Sequence, residues 1–445
     1  MSSSQPGRLR PGLAGGPARR KKRIVRQTAG GNESLFIKAG ASGLTGAAKR
    51  AALLTILLLP GVILTSCRAG SGQHLQAGAD RMESWLPLLE NRRVALVANH
   101  SSLVGGKIHL VDTLFSGYSH ALELVKVFSP EHGFRGESGA GTAVDDGVDE
   151  KTGLPVISLY GRQKKPSPGH LDDVDIVVFD LQDVGVRFYT YISTLHYVME
   201  ACAENGLPLV VLDRPNPNGG YVDGPVLEPE HRSFVGMHPI PVVYGMTIGE
   251  LARMINGEGW LGQGISCDLT VIRCNGYDRT MEVQLPVRPS PNLPNQQSVK
   301  LYPSLCFFEG TAVSVGRGTQ FPFQVFGHPD LKGDFSFTPR SIPGMALRPK
   351  LEGKTCYGED LREFSPRQGW SRLHLHWLLD TYRSFPDTAS FFTSYFVSLA
   401  GTTSLQEQIK AGWSEKEIRR SWQPGLDNFK RIRSRYLLYD EPGDF

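Results

Sequence analysis

From residue 93 onward the chain carries short, nearly unbroken runs of Val, Ile and Leu, and these dictate its architecture more than anything else in the sequence. They fall at 93–99, 124–128, 155–159, 176–179 and 207–212. A strand that reads as continuous apolar sequence must be covered on both faces, which is the property of a parallel sheet flanked by helices. Between the last two runs, residues 191–205 place apolar side chains at helical spacing and stop at Gly206, a helix-ending position. The alternation predicts an α/β fold: a Rossmann-like, doubly wound and largely parallel sheet domain.

After about residue 286 the texture changes. Pro286, Pro289, Pro291 and Pro294 follow in quick succession, and 301–326 mixes aromatics with Gly. Helices are predicted near 371–384, 403–411 and 414–435. This part reads as a smaller α+β C-terminal domain over 286–445, behind a sheet domain over 85–285. No period of 20–50 residues recurs, which excludes solenoids and propellers.

The formal net charge of +4 is unevenly placed. Ahead of Cys67 stand eleven Lys and Arg against the single acid Glu33, so the leader carries +10 and everything after it −6. A nucleic-acid partner is therefore not indicated for the body. Lys49-Arg50 precedes an apolar stretch that ends at Thr65-Ser66-Cys67. That is the layout of a secretory signal, too short for a comfortable membrane span. Leu64-Thr65-Ser66-Cys67 also resembles the bacterial lipobox, in which the cysteine is lipidated. The expectation is an exported, membrane-anchored lipoprotein facing the periplasm, with residues 1–67 as leader and 68–84, rich in Gly, Ala and Ser, as a tether. Cys202, Cys267, Cys274, Cys306 and Cys356 show no C-x-x-C spacing and no His at zinc-finger spacing, so neither a metal nor another cofactor is expected. A bridge between Cys267 and Cys274 and a set of buried thiols are both open.

Ligands of open parallel sheets bind beyond the carboxyl ends of the strands. Three runs end in polar clusters. One leads into Ser129-Pro130-Glu131-His132-Gly133-Phe134-Arg135-Gly136. A second leads into Asp180-Leu181-Gln182-Asp183 and on to Arg187 and Tyr189. The third leads into Asp213-Arg214-Pro215-Asn216. Each holds a carboxylate and an arginine, so the rim of one sheet would gather acids and cations into a cleft. Glu131 stands out, since Pro130 and Gly133 fix the backbone around it. Packed against Phe134, its carboxyl would be partly desolvated and suited to general-acid work. A salt bridge to Arg135 or Arg187 is the plainer use of such a residue. His132 could orient a carboxylate or simply fill the loop. Asp180, Gln182 and Asp183 offer acceptors for sugar hydroxyls, although Asp at a strand end is also a common helix cap. Arg187 suits a carboxylate and Tyr189 a stacking face. Asn292, Glu309, Arg317 and Thr319 extend the candidate binding set, with Gly316-Arg317-Gly318 as a possible anion nest. A Walker A loop, a G-x-S-x-G elbow and an H-E-x-x-H pair are absent, and Ala98-Asn99-His100-Ser101 stands where a dinucleotide fingerprint would.

Taken together, the segments S-P-E-H-G-F-R-G, F-D-L-Q-D-V-G-V-R-F-Y-T-Y, D-R-P-N-P-N-G-G and F-E-G-T-x-V-S-V-G-R-G-T resemble the exo-β-N-acetylmuramidase family known as NamZ. Trp422-Gln-Pro-Gly and Arg433-Ser-Arg-Tyr436-Leu-Leu-Tyr439 fit it as well. The resemblance runs from about residue 85 to the end. It implies a Rossmann-like domain, a smaller C-terminal domain and an active site between them. The implied activity is release of N-acetylmuramic acid from the non-reducing end of peptidoglycan fragments, so the expected partners are peptidoglycan-derived sugars or muropeptides. It also implies that Glu131 is a catalytic residue, for which the reading of its surroundings offers the role of general acid. Asp180, Asp183 or Glu309 would be the partner carboxylate, unless the substrate's own acetamido group assists. Arg317, Arg187 and Arg214 are the cations available for the anionic lactyl ether that distinguishes muramic acid from glucosamine. A sugar-binding protein without turnover is the competing expectation.

Overall fold

In chain order the first strands are β1 (Arg93–Ala98), β2 (Leu103–Val104), β3 (Ile108–His109), β4 (Glu123–Ser129), β5 (Gly147–Val148), β6 (Pro155–Ser158), β7 (Ile176–Asp180), β8 (Leu209–Leu212) and β9 (Leu269–Ile272). β2 and β3 form a small hairpin, and the other seven lie side by side in the order β5-β6-β4-β1-β7-β8-β9. Every neighbouring pair is parallel except β5 with β6 at one edge. β1 lies between β4 and β7, so the chain winds outward in both directions from it, and the crevice of a doubly wound sheet opens there. The structure is a computed structural model that describes residues 75–131, 133–135 and 146–441. The leader with Cys67, and His132 of the first strand-end cluster, lie outside the described residues. The chain divides into Met1–Arg68 and Ala69–Phe445, and every strand of the sheet belongs to the second unit.

Burial on both faces explains the unbroken apolar runs. Successive strand side chains point to opposite sides. Ala95, Val97, Val177, Phe179 and Val211 enter one hydrophobic cluster, and Val94, Leu96, Val178 and Val210 enter the other. Helix α1 (Met82–Trp85) and helix α2 (Leu110–Gly117) cover the second face through Trp85 and Leu114. Helix α3 (Tyr191–Glu204), which ends before Gly206 as its sequence predicts, covers the first face together with α4 (Ile248–Gly257). Thr247 and Glu250 close a capping box on α4, pairing two otherwise orphaned backbone donors.

Two features differ from expectation. The strand β9 carries no unbroken apolar run, because it is an edge strand whose Thr270 faces solvent. The tether expected over 68–84 is already folded from Leu75 onward. Gln76 exchanges two backbone bonds of 2.9 Å with Asn275, Gly78 N–H donates to the Asp213 carbonyl at 2.7 Å, and Ala79 and Trp85 are fully buried. Small residues there allow close approach to the sheet edge rather than slack.

The C-terminal part begins with α5 (Gln296–Leu305). It continues with a three-stranded antiparallel sheet, β10 (Val325–His328), β11 (Phe335–Phe337) and β12 (Cys356–Asp360), and then α6 (His376–Ser384), α7 (Tyr395–Ala400), α8 (Ser404–Lys410) and α9 (Glu415–Arg433). Phe307, Phe308, Phe396, Leu426 and Phe429 belong to the same hydrophobic cluster as one face of the large sheet. The two parts therefore share a core. Cys202, Cys267, Cys274, Cys306 and Cys356 are buried free thiols. Among the described residues no helix is long and apolar enough to cross a membrane.

Arg187 ties the parts together. It is fully buried, and its guanidinium donates to the carbonyls of Pro225 and Ile240 at 2.8 Å and to those of Leu399 and Ala400, at the end of α7, at 2.9 and 2.7 Å. Burial lowers its pKa to about 9. Arg187→Met keeps much of the apolar stem but strands the buried carbonyls of Pro225, Leu399 and Ala400, while that of Ile240 keeps the Leu227 N–H. The expected loss is at least about 3 kcal/mol, because each abandoned acceptor bears its own desolvation cost. Arg187→Lys also destabilises, since an ammonium cannot fork in two directions. Thermal unfolding checks this: a Tm within about a degree of wild type for both variants contradicts the role.

Candidate active site

The rim at the carboxyl ends of β4, β6 and β7 faces the C-terminal part across a cleft enclosing about 760 Å³ of open space. Glu131, two residues beyond β4, and Tyr160, two residues beyond β6, line one side. Thr190 and Tyr191, at the start of α3, come from the segment after β7. Asn292, Tyr302, Glu309, Arg317 and Tyr395 line the cleft from the chain beyond residue 286. Of the residues that sequence reasoning assigns to one site, Glu131, Tyr189, Asn292, Glu309 and Arg317 all line this cleft.

Glu131 is half-buried. Thr190 Oγ1 donates to its Oε2 at 3.4 Å. The Tyr160 hydroxyl bonds to the same carboxylate, and burial together with that negative charge raises the Tyr160 phenol above its ordinary range. Tyr191, whose hydroxyl accepts from Asn99 Nδ2 at 2.7 Å, is raised by burial as well. The expected Phe134 neighbour is elsewhere. Its ring meets His109 edge-on at 4.9 Å in the opposite-face cluster. The aromatic groups around Glu131 are Tyr160 and Tyr191 instead. Tyr160 follows the third apolar run directly, so the strand-end argument that finds Glu131 also reaches it.

Arg135 binds protein rather than a ligand. Its Nε and Nη2 each meet an Asp149 oxygen at 2.7 Å, and Nη2 reaches Asp112 at 3.0 Å. The guanidinium holds the Asp149 carboxyl down to about 2. This fork pins the chain just past Glu131.

Across the cleft, Arg317 donates from Nε and Nη2 to the two oxygens of Glu309, both at 2.7 Å, and lies over the Phe323 ring at 5.0 Å. Its Nη1 makes no hydrogen bond among the described residues. Packing requires the flanking glycines. Gly316 and Gly318 both have positive φ, and a Cβ on Gly318 would sit 2.5 Å from the Arg340 carbonyl. The Gly316 N–H is already given to Ser314 Oγ at 3.2 Å. Asn292 donates to the Met345 carbonyl at 3.0 Å, while its buried Oδ1 has no partner among the described residues. Tyr189 spends its hydroxyl on the Pro289 carbonyl at 2.6 Å.

The remaining candidates lie beneath the rim, off the cleft wall. Asp180 and Arg214 form a buried fork at 2.6 and 2.8 Å, and Arg214 Nη2 also donates to the Leu103 carbonyl at 3.0 Å. Asp183 accepts from Gly185 N–H at 2.7 Å and from the Tyr244 hydroxyl, and burial pushes it up to about 6. Asp213 is likewise pushed up to about 6 by burial while Thr247, Gly249 and Tyr439 donate to it. Gln182 donates to the Asp183 and Pro215 carbonyls, Asn216 to the Met246 carbonyl, and Thr319 to the Gly316 carbonyl. The strand-end groups among them brace the turns that follow β7 and β8, and the first of these leads to Tyr191. Arg187, sealed among carbonyls, does not line the cleft. Glu228, Glu230 and His231 are the one described group whose possible metal-binding atoms approach within 4.8 Å of one another, and none of the three lines the cleft.

Comparison with known proteins agrees with this architecture. The family model for the N-terminal part of the exo-beta-N-acetylmuramidase NamZ matches residues 94–297, and that for its C-terminal part matches residues 300–439. The chain is 38% identical over 415 residues to the peptidoglycan beta-N-acetylmuramidase NamZ of Bacillus subtilis (strain 168), covering 87% of this chain and 99% of that one. Two crystal structures of DUF1343 family proteins from Bacteroides fragilis NCTC 9343 superpose on it. One has a TM-score of 0.75 at 44% identity, covering 83% of this chain and 99% of that one. The other has a TM-score of 0.72 at 29% identity, covering 82% and 99%. With both family models matched in order across the sheet domain and the C-terminal part, the chain belongs to the exo-β-N-acetylmuramidase NamZ family.

Proposed function

We propose that this chain is an exo-acting glycoside hydrolase of peptidoglycan turnover, that its cleft takes the terminal N-acetylmuramic acid, and that Glu131 is its general acid. The observation that carries the reading is the placement of Glu131. It stands at a strand end beside the switch point, half-buried under two tyrosines, in a cleft whose far wall holds Arg317. Glu131 protonates the glycosidic oxygen as the bond breaks and charge spreads over the sugar ring. The family relation supports this chemistry, and the wall supplies recognition. The free Nη1 edge of Arg317 suits the lactyl carboxylate, while Glu309 holds the guanidinium in plane for it. Asn292 Oδ1 is an acceptor for the acetamido N–H. Glu309 is the second carboxylate of the described wall; Asp180 and Asp183 lie below it.

The leader supports a further reading. A basic stretch, an apolar stretch and Leu64-Thr65-Ser66-Cys67 make Cys67 the lipidated residue of an exported enzyme held at a membrane and facing the periplasm.

Glu131→Gln is expected to lower turnover of a muramyl-glucosamine disaccharide by about 10²–10⁴-fold, the usual worth of a general acid. The loss is smaller on a nitrophenyl muramide, whose leaving group departs without a proton. A decrease below about tenfold on the disaccharide removes Glu131 from the role. Wild-type protein that binds the sugar and releases nothing points instead to capture without turnover. Arg317→Gln should raise KM for the muramide far more than it lowers kcat; an unchanged KM separates Arg317 from the lactyl group. Cys67→Ala should move the protein from the membrane fraction to the soluble one, and retention at the membrane rules out that anchor.

A further inference from the structure

Lys350 belongs to none of the sequence motifs and takes no part in the chemistry proposed for the cleft. It stands on the loop ahead of β12. Its ammonium donates to the carbonyls of Phe308 at 3.1 Å, Glu309 at 3.3 Å, Val313 at 3.1 Å and Thr311. All four lie in the single stretch 308–313 that carries Glu309. An ammonium has three donors, so four carbonyls around one nitrogen are gathered by its charge as much as by directed bonds. The arrangement is that of a cation in an oxygen cage. Glu309, held by this cage at its backbone, grips Arg317 through two parallel bonds of 2.7 Å.

We propose that Lys350 is a positioning residue for substrate recognition: its charge draws the 308–313 carbonyls together, fixes Glu309 and so sets the Arg317 guanidinium against the cleft. The inference rests on the reading that Arg317 meets the carboxylate of muramic acid. It makes that recognition sensitive to alkaline pH. Of the charged groups facing Lys350, Glu309 stabilises its charge and Arg317 opposes it. His328 on β10 feels Lys350 as a repelling charge, and Arg348, Glu352 and Lys354 share its loop. Burial outweighs the attraction of Glu309 and lowers the Lys350 ammonium to about 8. A second hollow is lined by Lys350 and Arg348 together with Glu309 and Arg317. The cage is therefore charged below that pH and loses its charge as pH rises through it.

The test is binding of free N-acetylmuramic acid and of N-acetylglucosamine, by calorimetry, to the wild type and to Lys350→Arg and Lys350→Met across neutral to alkaline pH. Wild-type affinity for N-acetylmuramic acid should weaken several-fold on the alkaline side while that for N-acetylglucosamine stays level. Lys350→Arg, which keeps its charge throughout, should lose the alkaline weakening. Lys350→Met should bind N-acetylmuramic acid weakly at every pH, with N-acetylglucosamine unaffected. An alkaline limb that persists in Lys350→Arg overturns the proposal, as does Lys350→Met binding N-acetylmuramic acid like wild type. If Lys350→Met fails to fold, the Lys350→Arg profile alone decides. A wild type that binds neither sugar overturns the reading of the cleft itself, and this inference with it.

Discussion

The guanidinium of Arg187 is fully buried, and among the described residues no carboxylate answers it. Four carbonyls take its place, two from the segment between β8 and β9 and two from the end of α7. A charge in that position is tolerated only while all four oxygens stay in place, because burying it without them costs several kcal/mol. The cleft depends on this condition. One wall grows from the strand ends that Arg187 adjoins in sequence, and the other from the C-terminal part that it grips. The shared hydrophobic cluster supplies the bulk of the cohesion, and the buried arginine fixes how the two halves register.

On that frame the polar strand ends divide their labour by depth. Asp180 with Arg214, Asp183 with Tyr244, and Asp213 with Thr247 and Tyr439 are bonded beneath the rim, with only Asp183 Oδ1 lacking a partner among the described residues. They fix turns, and the burial that raises Asp183 and Asp213 follows from that structural use. Glu131 stands higher, with Thr190 and Tyr160 as partners and the cleft in front of it. Perturbed carboxyls are often taken as a sign of catalysis. Here the most perturbed ones are the floor, and geometry separates them from the acid that can reach a ligand.

The sheet is legible in the sequence because burial on both faces leaves an unbroken apolar signature, as at 93–98 and 176–180. β9 is not, because an edge strand with an exposed Thr270 leaves none. Glu131 is legible for a topological reason: a strand end beside the switch point is where a ligand binds. The arginines are harder. Arg187, Arg214 and Arg317 look alike in sequence, each close to glycine, proline or an acid. Their fates depend on distant chain: Arg187 meets Leu399, 212 residues away. Only folding shows that one is sealed, one is locked to an aspartate, and one keeps an edge toward the cleft. The same holds for Phe134, whose partner His109 comes from another strand.

The shared core has a consequence for how such a chain can change over time. Two family models meet near residue 298, which invites the picture of separable modules. Phe307, Phe308, Phe396 and Phe429 pack into the cluster that covers the large sheet, so either half made alone would expose a broad apolar face. Recombination at that seam would join halves whose side chains have never fitted each other. Drift on one side must be answered on the other, and the two halves descend as one heritable unit.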